Sequence, residues 1–480
     1  MREKILKLEK SASLLEPKKE EREEIRNKVV EYTERFLEDM KEHKTFNITK
    51  DQGAGLYDYP ISNMGISIEE AIRIFKDNVE IPGLNPASGG HLAYIPGGGI
   101  YHSSLGDYIA AITNRYAGVF YPSPGAVRMT NMLIKWMAEL VGYPHMTGGN
   151  LTSGGSIANL TAVITARDAK KIKGNNFHRC VVYCTKHIHH CIDKAINIAG
   201  MRDCIRRDIK MDMQYKMNCA DLEAQIIKDK KKGLIPWMVI GSAGTTDVGA
   251  IDPLSTIGKI AKRNNLWYHI DGAYGAFFLL TKEGKTKLNG IELSDSLVMD
   301  PHKSMFLPYG LGVLLVRNAK HLKYAHQFSA SYFQDVIDPE DEMSPADISP
   351  ELTKHFRALR MWLPLKLCGT DPFTACLEEK LLLTKYFYRE IGKVDGFVTG
   401  VEPELSVTTF RYVPKNGDAN SFNKKLLDEI LLDGRIFLSS TDLDGSFFIR
   451  MAILAFRSHL ETIDLALEII KEKTILINNS

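Results

Sequence analysis

The chain has 480 residues, 44% apolar and 25% charged, with a formal net charge of +2. That length suggests two to four structural units, the apolar share supports a large core, and the charge balance gives no reason to expect nucleic acid or acidic membranes as partners. The start, MREKILKLEK, alternates charges with single apolar residues, so neither a secretory leader nor, further along, a membrane span is expected.

Residues 1–50 are rich in Glu, Lys and Arg. Ile25, Val29, Val30, Tyr32, Thr33 and Phe36 recur at helical spacing, which predicts a solvated helix or an arm that packs on a partner chain. The Gly/Pro-rich tract IPGLNPASGGHLAYIPGGG (81–99) reads as loop. From 130 to 320, short apolar runs alternate with amphipathic charged segments. The runs at 180–185, 237–244, 266–272, 296–300 and 312–317 predict strands, and SIANLTAVITARDAKK and CADLEAQIIKDKKKG predict helices between them. Such alternation argues for an α/β unit with a mainly parallel sheet covered on both faces, where ligands collect beyond the carboxyl ends of strands. The seven cysteines (180, 184, 191, 204, 219, 368 and 376) are odd in number and lack a CxxC pair, as expected of reduced thiols in a cytoplasmic protein. Residues 325–350 form a polar, Pro-bearing connection long enough to be a lid. Beyond 365 the pattern predicts a smaller α+β unit, with helices at 376–391 and 459–472 and strands near 404–413 and 446–454.

Three features carry chemistry. Gly154, Gly155 and Ser156 precede a helix, where free N–H groups and the positive dipole end favour an anion such as phosphate, although a plain N-cap gives the same pattern. Asp271 ends an apolar strand, where a carboxylate needs a cationic partner or serves as a helix cap. Lys303, in LVMDPHKSMFLPYG, follows another strand beside His302. A buried lysine with a lowered pKa is suited to imine chemistry, and an ion pair with a nearby acid is the alternative. Together the three match what pyridoxal 5′-phosphate requires: a phosphate anchor, an acid for the pyridine nitrogen and an amine for the aldehyde. Cys184, His187, His189, His190 and Cys191 resemble metal ligands in type, but they fall on a strand-to-helix turn that points them in several directions.

The segments TSGGSIANLTA, HIHHCIDKA, GSAGTTDVGAIDP, YHIDGAYGA, DPHK and FRALRMWL resemble those of the group II pyridoxal-phosphate-dependent decarboxylases, and within that group the aromatic-L-amino-acid (tryptophan and tyrosine) decarboxylases. The resemblance implies a fold type I architecture: a large domain with a mainly parallel seven-stranded sheet, an N-terminal helical segment and a small C-terminal α+β domain. The implied divisions are 1–95 (a dimer contact), 96–364 and 365–480. It further implies a homodimer with shared active sites. Gly155 and Ser156 would bind the phosphate with support from His302, and His189 would stack on the ring. Asp271 would pair with the pyridine N–H, Thr246 would sit beside the 3′-oxygen or the ring, and Lys303 would hold the aldehyde. Tyr332, in the lid, would give a proton to the α-carbon; aldehyde-forming relatives carry phenylalanine there. Arg450 would hold the substrate carboxylate or order the site.

For the substrate side chain, Tyr94, Ile95, Pro96, Phe120 and Tyr121 could form an apolar slot, with the segment RYAGVFYPSPG (115–125) coming from the partner subunit, Thr353 at a further pocket position and Gly97 leaving room for a bulky ring. Ser304 stands where aromatic decarboxylases usually have tryptophan, and Val127, Arg128 and Thr130 also depart from the pattern. The expected reaction is decarboxylation of tryptophan, tyrosine, phenylalanine or dihydroxyphenylalanine to the amine. The rivals are decarboxylation of glutamate or 2,4-diaminobutyrate, which predicts charge in the pocket, an aldehyde-forming reaction, and a catalytically dead scaffold that stays colourless with added cofactor.

Overall fold

The computed structural model describes residues 1–327 and 342–479. Its large sheet has seven strands: β1 Gly148–Thr152, β2 Cys180–Cys184, β3 Ile205–Asp208, β4 Ile235–Ser242, β5 Trp267–Asp271, β6 Ser296–Met299 and β7 Gly312–Val316. They lie in the order β1-β7-β6-β5-β4-β2-β3. Only β7 runs against its neighbours, so the sheet is mainly parallel.

All five apolar runs form strands of this sheet, because each side chain in them meets a packed layer. Val181, Tyr183, Leu297, Met299, Val313 and Leu315 enter one core, and Cys180, Val182, Cys184, Val298, Leu314 and Val316 enter the core on the opposite face. This is the two-residue alternation of a sheet buried on both sides. The sequence pattern does not disclose β1 and β3, the two outermost strands. β1 reads GGNLT because a Cβ at Gly149 would fall 2.5 Å from the Leu314 carbonyl oxygen, and β3 reads IRRD because it is only half-buried.

The smaller sheet comprises β8 Phe397–Thr399, β9 Val407–Tyr412, β10 Ser439–Leu443 and β11 Ser446–Ala452, in the order β8-β9-β11-β10 and antiparallel throughout. Helices Asp371–Gly392, Ala419–Asp433 and Leu460–Asn478 pack on it through Phe387, Leu426, Ile430 and Ile469. The first of these starts earlier than expected, since Pro372 is tolerated in a first turn. At the N-terminus, helices Arg2–Ala12 and Lys19–Glu38 bury no residue fully. Ile25, Val29 and Val30 are exposed, whereas Tyr32 packs edge-on against Phe75, ring centroids 6.4 Å apart. Among the described residues no helix is long and apolar enough to cross a membrane.

Candidate active site

Strands β1 to β6 run the same way, so their carboxyl ends share one edge of the sheet. From β2 the chain moves outward to β3, then returns to the other side of β2 and proceeds through β4, β5 and β6. That reversal leaves a crevice beside β2 and β4, the position where open α/β sheets bind ligands. A cavity of about 280 Å³ lies there, lined by Gly154, Gly155 and Ser156 after β1, His187 and His189 after β2, Thr246 after β4, Asp271 at the end of β5, and Asp300, His302 and Lys303 after β6.

The helix Gly155–Ala169 opens onto this cavity with neither a side-chain cap nor an acidic residue in its first turn. Its free N–H groups and dipole therefore point at whatever the cavity holds. Glycine is required here by close approach: a Cβ at Gly155 would fall 2.8 Å from Asp300 Oδ2, and one at Gly312 would fall 2.6 Å from Asp300 Oδ1 and 2.5 Å from the Gly154 carbonyl carbon. Gly312→Ala is accordingly expected to lower stability by about 1–3 kcal/mol, as overpacking does, measured as a shift of the denaturation midpoint.

Asp271 is buried and its Oδ1 accepts the Ala273 N–H at 3.2 Å. Beneath it lies a neutral network. Trp267 Nε1–H donates to Ser296 Oγ at 2.8 Å, leaving the serine hydroxyl to donate to His269 Nδ1 at 2.8 Å, while His269 Nε2–H donates to Asn159 Oδ1 at 2.7 Å. Burial pushes His269 down to about 4, so the support under Asp271 carries no charge and Asp271 must find its counter-charge in the cavity.

Lys303 sits on the one-turn helix Pro301–Ser304, three residues after Asp300, and its Nζ lies 3.1 Å from Asp300 Oδ2. The lowered pKa expected for this lysine is not found. Burial does work against its charge, but the carboxylates of Asp300 and Asp271 outweigh it and Lys303 is raised from its ordinary value. The ion-pair alternative is therefore the one found, and the same lysine faces the cavity. His302 Nδ1–H donates to the Leu311 carbonyl at 2.6 Å, which leaves Nε2 bare, 3.7 Å from Asp300 Oδ2. Burial lowers both His302 and His189. His189 Nδ1 accepts the Cys191 N–H at 3.3 Å, so the neutral ring carries its proton on Nε2. Ser304, on the far side of the turn, is buried and donates to the Tyr274 carbonyl at 2.6 Å, which leaves no space for a large side chain.

The other expected residues spread further. Arg450 is buried and donates from Nε to the Thr246 carbonyl at 2.6 Å, from Nη2 to the Tyr94 carbonyl at 2.9 Å and from Nη1 to Ser439 Oγ at 3.3 Å. It ties two walls of the site together from behind, and burial pushes it down to about 10. Ile95 lines the cavity, whereas Tyr94, Pro96, Phe120, Tyr121 and Thr353 do not. Tyr121 is 74% exposed and the Phe120 ring lies under Arg128 at 5.2 Å. Gly97 does not make room for a ring: a Cβ there would fall 2.3 Å from the His302 carbonyl oxygen, so glycine lets the chain pass beneath the lysine turn. A second, apolar cavity of about 460 Å³ shares His302 with the first and is lined by Tyr32, Phe36, Phe75, Val79, Leu307 and Tyr309, with Glu80 its only carboxylate among the described residues. Tyr332 lies outside the described residues. Among the described residues, no three His, Cys, Asp or Glu side chains gather as a metal site requires.

The family described as the pyridoxal-dependent decarboxylase conserved domain matches residues 81–413. The chain belongs to that family. An aromatic-L-amino-acid decarboxylase of Bacillus atrophaeus is 32% identical to this decarboxylase over 375 residues, 77% of this chain and 78% of that protein. An L-2,4-diaminobutyrate decarboxylase of Acinetobacter baumannii is 28% identical over 376 residues, 74% of this chain and 73% of that protein. In fold, the crystal structure of the Oryza sativa TDC with PLP and tryptamine superposes with a TM-score of 0.89 at 22% identity, covering 96% of this chain and 99% of that one. The decarboxylase is therefore a fold type I, pyridoxal-phosphate-dependent carboxy-lyase.

The residues fit that cofactor: an uncapped helix N-terminus for the phosphate, a buried carboxylate on neutral support for the ring nitrogen and a lysine facing both. Sequence reasoning left Asp300, Asn159 and Cys191 without roles. Asp300 carried a usable signal in its spacing, since a residue three before a lysine on a helical turn shares its face. Asn159 and Cys191 carried none, because their meeting at 3.3 Å is made by two separate helices.

Proposed function

We propose that this decarboxylase acts on an aromatic L-amino acid, releasing carbon dioxide and the corresponding amine. The observation that carries this reading is the apolar cavity beside His302, whose walls are mainly aromatic and aliphatic and, among the described residues, include no Lys or Arg. Bound in the adjoining cavity, pyridoxal 5′-phosphate supplies an electron-accepting ring for the pair left behind when carbon dioxide departs. The first turn of the Gly155 helix, with Ser156 and His302, anchors its phosphate. Lys303 Nζ would be the amine for the aldehyde, and the Asp271 carboxylate would hold the proton on the ring nitrogen. Neutral His189 would supply a flat face for the ring, and Thr246, whose carbonyl accepts from Arg450, would sit beside the 3′-oxygen or the ring. Tyr332 delivers the proton to the α-carbon, which favours the amine over the aldehyde.

In this reading the enzyme is a cytoplasmic homodimer, with 1–95 as the arm that grips the partner, 96–364 as the cofactor unit and 365–480 as the small unit. Ile5, Leu6, Leu8, Leu14 and Leu15 are all more than half exposed, and a second copy would cover them. The same dimer would bring Phe120, Tyr121 and Thr353 to the partner's site. A second reading, decarboxylation of 2,4-diaminobutyrate, is favoured by Glu80, whose carboxylate in the apolar cavity could meet an ammonium group.

Incubating the cofactor-loaded enzyme with the twenty amino acids, dihydroxyphenylalanine and 2,4-diaminobutyrate, then identifying products by mass spectrometry, tests both. Amines from the aromatic substrates are expected. Diaminopropane alone would establish the second reading, and aldehyde with ammonia and peroxide would overturn the role given to Tyr332.

A further inference from the structure

We propose that Asp300 is a positioning residue that clamps the Lys303 amine, charged and aimed into the cavity, in the cofactor-free protein. Asp300 is 1% exposed. A buried carboxylate is costly unless cations or donors meet it, yet among the described residues its Oδ1 has no hydrogen-bond partner. Its Oδ2 lies 3.1 Å from Lys303 Nζ. The nearest other candidate, His302 Nε2 at 3.7 Å, offers no proton while its Nδ1–H is given to the Leu311 carbonyl. Two separate elements make room for this carboxylate, since a Cβ at either Gly155 or Gly312 would come within 2.8 Å of one of its oxygens. A space kept clear from both sides, around a group whose one close ion pair among the described residues is with Lys303, indicates that the pair itself is what the site preserves.

The consequence is a controlled nucleophile. A lysine amine attacks a carbonyl only when neutral, so the clamp holds Lys303 in place and restrains its reactivity until a ligand alters the local charge. The groups facing the amine are Asp300 and Asp271, with His189, His302 and Cys191 around them. Burial lowers both histidines, so they add little positive charge near neutral pH. Losing Asp300 leaves Asp271 as the remaining carboxylate, and an opposite charge at this distance is worth about 1–3 pH units of amine protonation.

The inference depends on Lys303 being the amine of the proposed mechanism, and its test uses neither cofactor nor substrate, so it can fail while the substrate reading stands. Cofactor-free protein is treated with acetic anhydride across pH 7–11, and Lys303 acetylation is followed by peptide mass spectrometry; the side chain is 25% exposed, enough for the reagent to reach it. In the unaltered protein the midpoint should lie at or above the ordinary lysine value of about 10.4. In Asp300→Asn it should fall by one unit or more, and Asp300→Glu should restore it. A midpoint below the ordinary value in the unaltered protein, or one unmoved by Asp300→Asn, overturns the clamp. Circular dichroism checks that the asparagine variant folds; if it does not, the unaltered protein's own midpoint decides.

Discussion

Lys303→Ala is expected to lower amine formation by about 10⁴-fold or more, the scale on which loss of a covalent catalytic group acts. Among the described residues Lys303 is the one lysine that lines the cofactor cavity, so no described neighbour can take its place. The fold should persist, because alanine removes a partly exposed side chain from a one-turn helix whose Pro301 and Ser304 remain buried. Asp300 would lose its partner, so some stability should be lost as well, which makes a charge-preserving control useful. Lys303→Arg can still pair with Asp300 but lacks an amine that bonds an aldehyde. Comparable inactivity in both variants, with near-normal melting only in the arginine form, would separate chemistry from charge balance. Carbon dioxide release and amine yield are the measurements, and substantial turnover in either variant would refute the role of Lys303.

Asp271→Asn should reduce kcat by about 10²–10³-fold, as expected when a preorganised charge facing the reacting group is neutralised, with a smaller change in KM. Asparagine keeps the shape and can still accept the Ala273 N–H, so the fold is not at stake. What is lost is the negative charge, and the network beneath cannot replace it: His269, Asn159, Ser296 and Trp267 are joined by hydrogen bonds with His269 held neutral. Asp271→Glu restores the charge but displaces it by one methylene and should recover part of the rate. An asparagine variant as fast as the parent would show that the ring nitrogen is not served by this residue.

Much of the large sheet was legible in the chain because strands buried on both faces must be apolar throughout, and runs such as CVVYC and GVLLV satisfy that requirement locally. The sheet's edges were not, since β1 gives up side chains to close packing and β3 is half-solvated. In the small unit, β8, β10 and the helix Ala419–Asp433 escaped notice, as short strands and a polar helix face leave weak periodicity.

Residue type and spacing along the chain were enough to nominate a helix start, an acid and a lysine for one cofactor, because each chemical role demands a particular side chain just past a strand. They could not reveal that Gly97 passes beneath the His302 carbonyl, that Asn159 meets Cys191, or that Arg450 braces Thr246 and Tyr94. Those facts depend on which atom lies within a few ångströms of which other. Coulomb and packing forces act through that separation in space, which the folded backbone sets and which no count of intervening residues supplies.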